Sequence, residues 1–226
     1  MTLREHLTLL HLPTTSVLLS IAVLGSSIAQ DIYPDRLILF TLQIFLGGSV
    51  AANHFDELVD RPWHTKMASS RLWFAALIGL VGFIAIGLYF TLQVDFSFLF
   101  FVIVESFLIV AYDLEIFGGV FHNVYALGAS WGLVFLGGYY LQDLVLEPLV
   151  IVATLLICGC SIQGIELYET GKSFGKDRRF ANSHAKFAWK TLNLGILTVN
   201  AIAVILVIYR FWPLIANLLS TISTSS

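Results

Sequence analysis

The chain has 226 residues, 58% of them hydrophobic and 12% charged, and a net charge of −3. Soluble domains run about 45–50% apolar and about 25% charged, so the composition excludes an ordinary soluble domain and predicts an integral membrane protein. Basic residues form no stripe with interleaved aromatics outside one loop, which argues against a nucleic-acid partner.

Taken in order, seven apolar runs approach the ~20 residues that cross a bilayer core: about 13–30, 36–55, 72–92, 96–112, 121–141, 144–165 and 188–209. The first lacks a cleavable signal pattern and is expected to be a retained span. Gln93-Val94-Asp95 makes a tight connection. The run after Arg210 contains Pro213 and is too short to span comfortably, which predicts an interfacial or re-entrant tail. Cys158 and Cys160, the only cysteines, lie two apart in an apolar run and are expected to pack rather than pair. No repeat or long linker divides the chain, so residues 1–226 form one all-α transmembrane domain.

With the N-terminus in the cytoplasm, inside segments hold Arg4, Arg61, Lys66, Arg71, Lys172, Lys176, Arg178, Arg179, Lys186 and Lys190, while outside segments hold Arg36 and Arg210. That positive-inside asymmetry predicts a multi-pass protein with its polar loops on the cytoplasmic side.

Span two ends in the densest polar stretch. Asn53, Asp56 and Asp60 stand at i, i+3 and i+7 and share a helical face. Two carboxylates a turn apart plus a carboxamide oxygen suit Mg²⁺, which is commonly held by one or two carboxylates and a substrate phosphate. Pro62 ends the helix, and Arg61, Lys66 and Arg71 stand beside it as candidate anion-binding groups. The alternative is a juxtamembrane turn with solvated acids and topogenic bases. A second constellation closes span six, where Gln163, Glu166 and Glu169 recur every three residues before a basic loop. Their alternative is an ordinary interface with a solvated loop. Between the two lies the 112–123 loop. Glu105 is mid-span, where an ionisable group must face the bundle interior or a polar cavity. It either lines a substrate cavity or bonds a neighbouring helix.

The stretch from Asn53 to Arg71 resembles the first aspartate-rich motif of the UbiA superfamily of membrane prenyltransferases. Asp56 and Asp60 match its Asp pair, and Arg61-Pro62 with the basic loop matches the family's Arg-Pro and basic loop. Asn53 stands three residues before the first Asp, where the family's Asn stands four before. Glu166, Tyr168, Glu169 and Gly175-Lys176 match the second motif, with Gly164 and Gly171 where the family has Asp. Tyr112 and Asn123 match a Tyr-initiated loop and the Asn opening the next helix.

The resemblance implies a nine-helix bundle around a cytoplasm-facing cavity, against seven spans and a tail here. A shorter bundle leaves its cavity more open to lipid, or is completed by another copy or a partner subunit. It further implies Mg²⁺ as cofactor and transfer of an isoprenoid group from its diphosphate to a lipophilic or aromatic acceptor. Asn53, Asp56 and Asp60 would hold one ion and Gln163, Glu166 and Glu169 a second. Arg61, Lys66, Arg71, Lys172, Lys176 and Arg178 would bind the diphosphate, with Asn123 at the substrate and Tyr112 and Glu105 at the reacting centre. Rival readings are a terpene cyclase, a diphosphate hydrolase, and a non-catalytic lipid-binding or assembly protein.

Overall fold

A computed structural model describes residues 7–176 and 181–224, and the side chains at 172–176, 181–184, 214–215 and 217–224 lie outside that description. The described residues contain helices and no strand. Seven long helices succeed one another: α1 Leu12–Ser27, α2 Pro34–Val59, α3 Ser69–Gln93, α4 Phe96–Asp113, α5 Val124–Asp143, α6 Pro148–Lys176 and α7 Ala181–Thr224. Six are long and apolar enough to cross a membrane, and α1, at 16 residues, is a shorter apolar helix. The chain is a multi-pass membrane protein.

Two groups of helices make up the bundle. Helices α1, α5, α6 and α7 pack around a ring, each touching the next, while α2, α3 and α4 form a second group laid against α1 and α5. Small residues allow the closest approaches, because no side chain holds the backbones apart. A Cβ on Gly25 would strike the Phe135 carbonyl, and one on Gly79 would meet the backbone of α2 at Leu46 and Ala51, each within 2.7 Å. At that crossing α2 widens: residues 45–51 form π turns, and the Ala52 amide bonds back to the Gly47 carbonyl five residues earlier. Such widened turns are often found at functional sites.

Each end of the bundle is fastened differently. At one, Tyr140 donates to Asp95 (2.7 Å), the Tyr33 amide to Gln142 (2.7 Å) and Arg36 to the Leu141 carbonyl (2.8 Å), while Arg210 reaches the carbonyls of Ala29 and Gln30. Asp95 also accepts the Ser97 amide, and the Tyr140 hydroxyl, first, and that amide hold its carboxyl below the usual value. The other end is aromatic. Trp63, His11, Tyr168 and Trp189 run in sequence, with ring centroids 5.9, 6.5 and 5.5 Å apart, joining the α2–α3 loop to the starts of α1 and α7 and the last turns of α6.

Two boundaries differ from those expected. Helix α6 continues to Lys176 rather than ending near 165, since Glu166, Leu167 and Glu169 are good helix formers despite their polarity. Instead of breaking into a tail, α7 continues past Pro213. Proline removes a single N–H from a helix, and here the helix runs 44 residues, roughly 66 Å at ~1.5 Å per residue.

Candidate functional site

The acidic end of α2 is built around a residue between the two expected ligands. Glu57 has no exposed surface and accepts from the Trp63 amide (3.1 Å), the Thr65 amide (2.7 Å) and the Thr65 hydroxyl (2.8 Å). Those bonds hold a loop that leaves the helix through Arg61 and His64, both with positive φ (48° and 49°), a conformation that disfavours residues with a Cβ. The Arg61 guanidinium points back along the same loop, to the Thr65 and Met67 carbonyls and the Ser69 hydroxyl. Met67 and Leu72 then bury against Leu9. Lys66 and Arg71 remain exposed.

With Glu57 turned inward, Asp56 is half-buried, Asn53 half-buried and Asp60 exposed. Asp56 lies within electrostatic reach of His122, Asp60, Glu57 and Glu115. Asp113, the last residue of α4, is buried and feels the charge of Asp56. Tyr112 feels Asp113, Asp56, Glu169 and Glu115, so the ends of α2, α4 and α6 come within electrostatic reach of one another. The loop between α4 and α5 is held locally: the His122 ring stacks on Tyr112 (4.5 Å), its Nδ1 meets the Tyr112 carbonyl (2.9 Å), and it stands 3.8 Å from Glu115. Asn123 caps α5, its Oδ1 accepting from the Tyr125 and Ala126 amides (3.0 Å each) and its amide donating to the Val120 carbonyl.

Beneath this acidic rim lies a cavity of about 60 Å³ between α1, α2, α3, α4 and α5. Leu18, Ile44, Phe83 and Trp131 supply apolar wall, and Glu105, Tyr112, Asp113 and Ser130 supply polar atoms. Gly48, in the widened stretch of α2, also lines it. Both expectations for Glu105 meet here: it lines the cavity, and it accepts a 2.7 Å hydrogen bond from Ser130 on α5.

Helix α6 lines none of it. Val150, Thr154 and Ser161 mark its buried side. At ~100° per residue, Gln163 and Glu166 stand roughly 140–160° round from Ser161 and Glu169 about 80°, and all three are exposed. A Cβ on Gly164 would meet nothing within 4 Å. Lys172, Lys176 and Arg178 fall outside the described side chains. No family model matches the chain, and no curated protein or solved structure matches it either.

Among the described residues no three His, Cys, Asp or Glu side chains form a group that could by itself hold a metal ion. The donor set at the end of α2 nonetheless fits Mg²⁺ in its usual manner, with Asp56 and Asp60 a turn apart and water or phosphate oxygens completing the shell. The exposed, spread carboxylates of α6 do not make a comparable set. Sequence reasoning missed Glu57 and Asp113. Glu57 stands three residues after buried His54 and two after buried Phe55, and Asp113 lies eight residues on from Glu105, about two turns along the same helix. The spacing from Glu105 carried a signal for Asp113.

Proposed function

We propose that this protein is a UbiA-like membrane prenyltransferase that moves an isoprenoid group from its diphosphate to a lipophilic acceptor. The observation that carries the reading is the juxtaposition of an acidic rim, at Asp56, Asp60 and Asp113, with an apolar and aromatic cavity directly beneath it. A diphosphate needs a cation among carboxylates, and an isoprenoid chain needs an apolar slot that excludes water. Few other ligands need both at one depth. The same reading puts the rim and the N-terminus in the cytoplasm.

Mg²⁺, when held by Asp56 and Asp60 with Asn53 beside them, would supply the positive charge that neutralises the diphosphate. The residues do the rest. Exposed Lys66 and Arg71 flank the entry and attract the anion, whereas Arg61 acts chiefly by fixing the loop that carries them. Phe83 and Trp131 line the cavity, and their aromatic rings would stabilise cationic character developing on the allylic carbon. In the transfer, the bond between that carbon and the diphosphate oxygen breaks and its electron pair leaves with the diphosphate. The acceptor forms the new bond and loses a proton, and Glu105 and Asp113 are the wall carboxyls within reach of it.

A second reading, a lipid-binding or assembly protein without chemistry, draws on the exposure of Gln163 and Glu166, which leaves one ion where the family uses two. Product analysis separates the readings. Purified protein in nanodiscs, given geranylgeranyl diphosphate and Mg²⁺, is predicted to accumulate prenylated acceptor only when membrane extract supplies one. Cyclic hydrocarbon without acceptor would indicate a cyclase, free alcohol a hydrolase, and unchanged substrate in every case the non-catalytic reading.

A further inference from the structure

One polar atom in the cavity has no partner. Glu105 is 5% exposed, and while its Oε2 accepts from Ser130, its Oε1 meets no hydrogen-bonding group. A buried carboxyl oxygen left this way costs free energy unless something donates to it. The wall does carry donors, in Tyr112, Ser130 and Trp131, but none of them reaches Oε1, and the lining contains no Lys, Arg or His. Beyond Glu105 a smaller void of about 10 Å³, which Gln43 also lines, has room for about one water. The main cavity, about 60 Å³, is larger than one water needs and is otherwise lined mostly by apolar side chains.

We propose that Glu105 and the cavity around it seat the neutral hydroxyl or phenol of a lipophilic ligand, the acceptor in the reaction proposed above, with that group donating to Oε1. This inference rests on that reading for the word acceptor, though the ligand class comes from the cavity itself. The lining contains no Lys, Arg or His, so a carboxylate-bearing molecule loses its hydration without gaining a cationic partner. A plain hydrocarbon leaves Oε1 unsatisfied. An ammonium would bring a full charge and three donors into a site with apolar walls, and would lose far more hydration than a hydroxyl. Trp131 and Phe83 in the lining suit an aromatic ring carrying the hydroxyl.

The test is equilibrium binding of radiolabelled para-nonylphenol to the full chain in nanodiscs, without Mg²⁺ or diphosphate. Competitors are nonylbenzene, para-nonylbenzoate and para-nonylbenzylamine. The phenol is expected to bind about tenfold tighter than each of the three, the worth of one buried hydrogen bond to a carboxyl. In Glu105→Leu that preference over nonylbenzene should vanish. In Glu105→Gln, whose carboxamide oxygen still accepts, it should persist. Equal binding of phenol and hydrocarbon, tighter binding of the benzoate or amine, no binding by any probe, or a preference that survives in Glu105→Leu would each overturn the proposal. The ranking in wild type decides even if the Leu variant does not fold. Since the assay contains neither ion nor diphosphate, failure here leaves the transferase reading standing, and a transferase assay that fails leaves the subsite standing.

Discussion

Helices α2 and α6 each end in acids trailed by a basic loop, yet the bundle treats them in opposite ways. Of the apolar window in α2, 44% is buried, against 17% in α6 and 6% in α7. At the end of α2 a buried glutamate ties down the loop, two aspartates are left at the rim, and a widened turn opens toward a cavity. At the end of α6 Gln163 and Glu166 stand on the outer side of the helix, Glu169 is exposed to one side, and the glycine at 164 faces open space. Similar sequence patterns therefore differ in consequence because of the packing beneath them. Chemistry is expected where carboxylates border a cavity, and topology or lipid contact where they do not.

The largest effect should come from the loop clamp. Glu57→Leu removes three charge-assisted hydrogen bonds and strands two backbone amides, so it is expected to cost about 3 kcal/mol and to expose residues 61–67 to protease. Glu166→Ala, the matched change on α6, should fall within about 0.5 kcal/mol of wild type. Chemical denaturation in a mild detergent, with limited proteolysis, measures both. If the two variants lose equal stability, the contrast between the motifs is mistaken.

A smaller contrast concerns glycine. Gly79→Ala drives a methyl into the α2 backbone at its widened turn and should cost about 1–3 kcal/mol. Gly164→Ala adds a methyl in open space and should stabilise α6 by about 0.5–1 kcal/mol, since glycine is the weaker helix former. Melting temperatures of the two variants should move in opposite directions.

The smallest effect lies at the far end of the bundle. The Tyr140 hydroxyl and Ser97 amide hold the Asp95 carboxyl below its ordinary 3.8. A depressed carboxyl pKa contributes stability that is present above the unfolded value and is lost as pH falls through the folded one. Wild type should therefore lose a little stability below about pH 4, and Tyr140→Phe should lose less over the same range. Identical acid profiles would show that this hydrogen bond contributes nothing to the fastening of that end.

Much of this architecture was legible in the sequence. Hydropathy located the helices because apolar length is set by bilayer thickness, and Asn123, expected to open the next helix, caps α5. Glu105 was legible as inward-facing from its depth alone. The π turns at 45–51 were not, because nothing in Phe45-Leu-Gly-Gly-Ser-Val-Ala51 distinguishes widening from an ordinary helix until Gly79 packs against it. Neither was the division of labour between Asp56 and Glu57, neighbours of one charge whose roles are fixed by which side of α2 meets the 61–67 loop. The even spacing of Gln163, Glu166 and Glu169 suggested a shared face, but three-residue steps drift about 60° each on a helix, and the buried side of α6 lies elsewhere.

The central claim is that the end of α2 binds a diphosphate through Mg²⁺, and a melting experiment addresses it directly. Wild type and Asp56→Asn are heated in detergent with geranylgeranyl diphosphate, with and without millimolar Mg²⁺. Asn keeps the shape and helix end while removing one charge from the metal shell, and two nearby carboxylates repel when no ion is present, so the unliganded proteins should melt alike. Mg²⁺ should raise the melting temperature of wild type in the presence of the diphosphate, as any ligand of the native state does, and should leave Asp56→Asn unmoved. A wild type that ignores Mg²⁺ and diphosphate together would contradict the account and favour a lipid-binding protein built on the same frame.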